Sequence, residues 1–170
     1  MFKVNGFKLQ HRIRELANMR EVYNRQFTEG RFRFPDEEKR TPQEAMALLD
    51  ETERKIVELQ LAQARFNTEI KVEVDGQSLP LMFAVKMVGA LGRMEKMWRN
   101  ASKGNESRYS YRDFETERDK DKVYAVPAMT MDAFAAKARE AGARAARYRE
   151  AIALGNATSL EMDVDPGLFE

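Results

Sequence analysis

Two long stretches with interleaved apolar spacing of three and four residues constrain this chain more than any other feature. In the first, from about Gly6 to Thr28, Leu9, Leu16 and Tyr23 recur one heptad apart, as do Ile13, Arg20 and Phe27. In the second, Ala45, Thr52, Leu59 and Phe66 interleave with Leu49, Ile56, Gln63 and Ile70. Such spacing lays a continuous apolar seam along one side of a helix, and a seam has to be covered. Thr41-Pro42-Gln43-Glu44 marks the start of the second helix. Thr41 can accept from the Glu44 amide, Glu44 can reach back, and Pro42 tolerates the first helical position. The two helices are of similar length and are joined by Arg31-Phe32-Arg33-Phe34-Pro35, an extended connector. An antiparallel hairpin follows. Arg20 interrupts the first seam, where a polar residue specifies register or pairs with a carboxylate.

Beyond the hairpin, Ile70-Lys71-Val72-Glu73-Val74 alternates apolar and charged residues and meets Asp75-Gly76, which reads as a strand and a tight turn. A third helix is expected from Ser78 as cap, with Pro80 in its first turn, to about Ser102; its apolar face is Leu81, Ala84/Val85, Val88, Leu91, Met94 and Trp98. Tyr109 and Tyr111 alternate with Arg108, Ser110 and Arg112 as in an edge strand, and Val123 to Val126 reads as a short strand closed by Pro127. A fourth helix runs from about Met131, capped by Thr130 or Asp132, to Leu154, with Gly155 as its stop. The fold class is therefore mainly α: a long antiparallel hairpin plus two further helices, with short strands between them. The expected organisation is one helical domain over 1–170, with hairpin 1–69, strand-helix-strand insert 70–127, C-terminal helix 128–155 and acidic tail 156–170.

Composition narrows the chemistry. The chain has 170 residues, no Cys and one His. This excludes thiol catalysis, Cys-ligated zinc and a multi-histidine metal site, and leaves His11 without an evident triad partner. No apolar run approaches the roughly 18–20 residues that span a bilayer. Asp113, Glu115, Glu117, Asp119 and Asp121 alternate in a stretch that also holds Arg118, Lys120 and Lys122, and without the central Gly of a calcium loop they read as a solvated segment. No metal or cofactor is expected, and a carboxylate-dependent metal hydrolase is the minor alternative to a non-catalytic protein. The expected location is cytoplasmic, in a bacterial cell or as a component of a virus particle.

The net charge of +1 conceals segregation. Residues 1–34 hold eight Lys/Arg against three Asp/Glu, residues 35–70 five against nine, residues 71–112 eight against four, and the last fifteen hold four acids only. Blocks of opposite sign attract one another within or between chains, whereas a nucleic-acid binder is more often basic throughout. The fourth helix is rich in small residues, with Ala138, Gly142 and Ala145 among them, which allows a neighbouring helix to approach closely. Together these features point to a scaffold or interaction protein that forms a homo-oligomer. Leu9, Ile13, Leu16, Arg20, Leu59, Phe66, Ala138, Gly142 and Ala145 are the expected self-association residues, and the acidic tail is expected to dock on a neighbouring copy's basic segment. The alternative is a binder of a small anionic ligand such as a nucleotide, through Arg93, Lys96, Arg99, Arg108 and Arg112 beside Trp98, Tyr109 and Tyr111, by charge-assisted bonds and stacking. Met82, Met87, Met94 and Met97 read as core filling, with an adaptable contact surface as the second reading.

Phe66-Asn67-Thr68, Val74-Asp75-Gly76-Gln77-Ser78-Leu79, Val123 to Val126 and the end of the fourth helix (Tyr148 to Ile152, then Asn156-Ala157-Thr158) resemble the signature of small uncharacterised bacterial helical proteins sometimes labelled septicolysin-like. The resemblance spans about residues 50–160 and implies a helical hairpin elaborated by short strands, with self-association and no established activity. Lys86-Met87 stands where that family has an Arg-Asp pair, Ala157 where it has an aromatic residue, and residues 103–122 form a longer connection.

Overall fold

The computed structural model describes residues 1–32, 38–103 and 129–169. Among them are helices α1 (Gly6–Gly30), α2 (Pro42–Glu69), α3 (Leu81–Ser102) and α4 (Met131–Ala157) and strands β1 (Phe2–Asn5), β2 (Lys71–Val74), β3 (Gln77–Pro80) and β4 (Ser159–Met162). A 3-10 turn, Pro166–Phe169, follows β4. The fold is mainly α with two short antiparallel sheets, β1–β4 and β2–β3. Contacts divide the chain into two compact units, Met1–Met82 with Ile152–Glu170, and Phe83–Ala151. The expected strand at 123–126, the tyrosine segment 108–112, the acidic stretch 113–121 and the Phe34-Pro35 part of the connector lie outside the described residues.

In the first unit α1 and α2 form the antiparallel hairpin. Gly6 lies by Phe66, Arg20 by Glu53 and Gly30 by Pro42, so residue number rises on one helix as it falls on the other. Asn5 caps α1, its side chain accepting from the Lys8 amide at 2.8 Å. At the start of α2, Thr41 Oγ1 accepts from the Glu44 amide and the Glu44 carboxylate accepts from the Thr41 amide at 2.9 Å. Such a cap contributes about 1 kcal/mol. The seams meet as their spacing requires: Leu9, Leu16, Ala45, Ile56, Leu59 and Phe66 are buried.

The hairpin β2–β3 turns on Asp75 and Gly76, with φ of 53° and 77°, the left-handed pair that a two-residue turn demands. Ser78 and Pro80 belong to β3, not to the expected first turn of the third helix. The tight turn sends residues 77–80 straight back along β2, with Leu79 opposite Val72 and Pro80 opposite Lys71. Pro80 is tolerated at the strand end, where its missing N–H costs little. The helix begins one residue later, with the Leu81 amide bonded to the Ile70 carbonyl at 2.8 Å.

The C-terminal residues differ most from expectation. Thr130 does cap α4, its Oγ1 accepting from the Ala133 amide at 3.2 Å, but the helix continues through Gly155 to Ala157. Gly155 is a point of close approach: a Cβ there would lie 2.6 Å from Val72 and 3.1 Å from Leu81. The tail then pairs as β4 with β1, Phe2 opposite Met162 and Val4 opposite Leu160. Arg12 Nε donates to the Leu168 carbonyl at 2.7 Å, the Phe2 and Phe169 rings lie 5.2 Å apart, and the Lys8 ammonium sits 4.5 and 4.9 Å from their centroids. The tail thus docks on β1 and α1 of its own chain, through strand pairing, the Leu168 carbonyl and the Phe169 ring.

In the second unit α3 packs with α4. The Trp98 and Phe134 rings lie 6.0 Å apart, and Gly142 faces the Glu95 carboxylate. Ala138, Ala141, Ala145, Tyr148 and Ala151 form the buried side of α4.

Candidate functional site

The residues expected to shield neighbouring copies are instead used within the chain. Leu9, Leu16, Leu59 and Phe66 are at most 2% exposed, and Ala138 and Ala145 are also buried. Ile13 and Gly142 are half-buried. Arg20, half-buried, pairs with Glu53 and with Glu21, both at 3.6 Å, so it fixes register inside the hairpin. The hairpin seams cover each other because both helices belong to one chain and the connector lets them fold back.

The structure does not bring the described members of the anion-binding cluster together. Trp98 is turned towards α4 and Phe134. At about 100° per residue, Arg93 and Lys96 lie roughly 140–160° around the helix from it. Arg99 is hydrogen-bonded to Glu95 on its own helix. Arg108, Tyr109, Tyr111 and Arg112 lie outside the described residues. Beside Trp98, a groove of about 220 Å³ is lined by Leu91, Met94, Trp98 and Ala141 and by the charged Lys137, Glu140 and Arg144. The hydrogen bond from Lys137 Nζ, 2.9 Å, and then the charge of Lys137 hold the Glu140 carboxyl below the usual carboxylate range. Lys137 and Glu140 are therefore paired with each other. His11 is exposed and sits 3.2 Å from Glu15. Among the described residues no cluster of three His, Asp or Glu side chains is placed to hold a metal ion.

Among the described residues a second seam on α3 is left partly uncovered. The inner seam is Ala84, Val88, Leu91 and Trp98; Ala84 and Leu91 are fully buried and the other two half-buried. Directly beside it run Phe83, Met87, Ala90, Met94, Met97 and Ala101, at spacings alternating four and three. Phe83 is 47%, Met94 44% and Met97 71% exposed. Two adjacent seams make an apolar arc wider than one neighbouring helix covers. Lys86 and Arg93 flank the exposed seam at about 60–80° from its centre, with Lys96 further round the helix; among the described residues these three make no ion pair, while the single carboxylate of α3, Glu95, is taken by Arg99. Met94 and Met97 are therefore surface residues, not core filling. The signal was present in the alternating spacing from Phe83 to Ala101, but it merges with the inner seam until packing separates the two.

Two of the residues that carry the family resemblance, Phe66 and Asn156, have a structural role: both are buried and pack against Gly6, and Val72 and Leu81 close on neighbouring Gly155. No family model matches the chain, and no curated protein matches it in sequence. A solved structure of a functionally unknown conserved protein from Corynebacterium diphtheriae is similar to it, with a TM-score of 0.72 at 16% identity over 94% of this chain and all of that one. At that identity the likeness shows a shared fold. It is consistent with an uncharacterised family and lends no support to the septicolysin-like label. No described helix is long and apolar enough to cross a membrane.

Proposed function

We propose that this chain is a non-catalytic interaction protein that self-associates through the outer seam of α3 and acts in the cytoplasm. The seam of exposed Phe83, Met94 and Met97 with half-buried Met87, Ala90 and Ala101 carries the reading. Contiguous exposed apolar surface rimmed by charge is what association sites present, and methionine suits such a surface because its unbranched side chain adapts to a partner. Binding of a small anion has less support, since Trp98 and the free cations of α3 face different ways.

Light scattering behind size exclusion tests the proposal at tens of micromolar protein. The wild type is expected to elute at a multiple of 19.7 kDa. Met94→Lys with Met97→Lys is expected to elute as one chain with an unchanged helical spectrum, because both side chains are exposed and their loss leaves the fold intact. A wild type that stays monomeric overturns the reading.

A further inference from the structure

The α3 seam needs an occupant whose apolar side chains match its own and whose charge answers the flanking Lys86 and Arg93. A second α3 fails the latter condition, because the same cations would then face one another, and like charges in register disfavour a pairing. The outer side of α2 meets both conditions. It exposes Met46 (45%), Val57 (52%) and Leu61 (61%), with Met46 beside Phe27 of α1 and Leu61 beside Asp163 and Asp165 of the tail. These three fall within about 60° of one another around the helix. The helix carries six Asp/Glu against three Lys/Arg, where α3 carries four Lys/Arg against one Glu. Asp50 and Glu51 are already paired with Arg54 and Lys55, and Glu53 with Arg20. Among the described residues Glu58 and Glu69 make no ion pair, against Arg65 alone among the bases of α2.

From this complementarity we infer that the α3 seam of one copy receives the outer face of α2 from a second copy. The inference rests on the self-association proposed above and names the surface that answers it. Val57 and Leu61 would lie among Met94 and Met97, and the acids of α2 would approach the cations flanking the seam. Since the two faces differ, the junction is head-to-tail: each contact uses α3 from one copy and α2 from the other.

Complementation tests this directly. One variant carries Met94→Lys and Met97→Lys, and the other Val57→Lys and Leu61→Lys; all four positions are exposed, so each variant is expected to keep its fold, checked by circular dichroism. Each alone is expected to associate roughly 30-fold or more weakly than wild type, the scale for loss of central anchors. An equimolar mixture contains one undamaged junction, α2 of the first variant on α3 of the second, while the other junction holds four lysines. The mixture is therefore expected to form a species of twice the single-chain mass. If the α2 variant assembles as wild type does, or if mixing restores nothing, this inference fails while association through α3 stands. If the wild type is monomeric, both fail.

Discussion

Deleting residues 159–170 is expected to destabilise the protein by about 3–6 kcal/mol, the sum for two buried aliphatic side chains at about 1.5–3 kcal/mol each. The two are Met162 and Leu168, each 6% exposed. The deletion also removes the partner of β1, uncovers Val4, which is 1% exposed, and leaves the Arg12 guanidinium without the Leu168 carbonyl. The melting temperature should fall on the order of 10 °C or more, by the usual relation for a chain of this length. Urea unfolding of the full and shortened chains measures the loss. An unchanged midpoint would mean that the tail is decoration and that its docking on α1 carries no energy.

Phe66→Ala is expected to cost about 3–5 kcal/mol, the range for removing an enclosed aromatic ring. Phe66 is fully buried near the end of α2, and its ring edge lies 2.9 Å from where a Cβ on Gly6 would stand. That crowding leaves the backbone of α1 little freedom to collapse into the space the ring vacates, so most of the cavity should persist. Met46→Ala, on the exposed side of the same helix, is the control and should change stability by under about 0.5 kcal/mol. Denaturant titration of the two variants separates them. A loss below about 1 kcal/mol for Phe66→Ala would show that the junction of α1, α2 and the end of α4 is loosely packed.

Where the determinants are local, the sequence is sufficient. The capping box at Thr41 and Glu44, the hairpin turn at Asp75-Gly76, the Thr130 cap and the matched seams of α1 and α2 each act within a few residues or one helix turn, and each is found as expected. The strands β1 and β4 escape such reading because each is four residues long and its partner lies at the other end of the chain. Neither alternation is long enough to stand out alone. Pro80 misleads for a related reason: proline suits a helix start and a strand end equally, and only the pairing of β3 with β2 decides between them. The candidate site was legible in part. Heptad spacing finds seams but does not say which helix covers which, so the hairpin seams read as sticky although they cover each other. The α3 methionines read as core although Met94 and Met97 face outwards.

The absence of cysteine allows the central claim, burial of the α3 seam between copies, to be read at single positions. Met97→Cys places one thiol on the exposed seam, and Glu73→Cys places one on the solvent side of β2 as a reference. Alkylation rates are measured across a concentration series from dilute to tens of micromolar. The rate at position 97 is expected to fall as concentration rises while the rate at position 73 stays constant; equal, concentration-independent rates at both positions would contradict burial of the seam between copies.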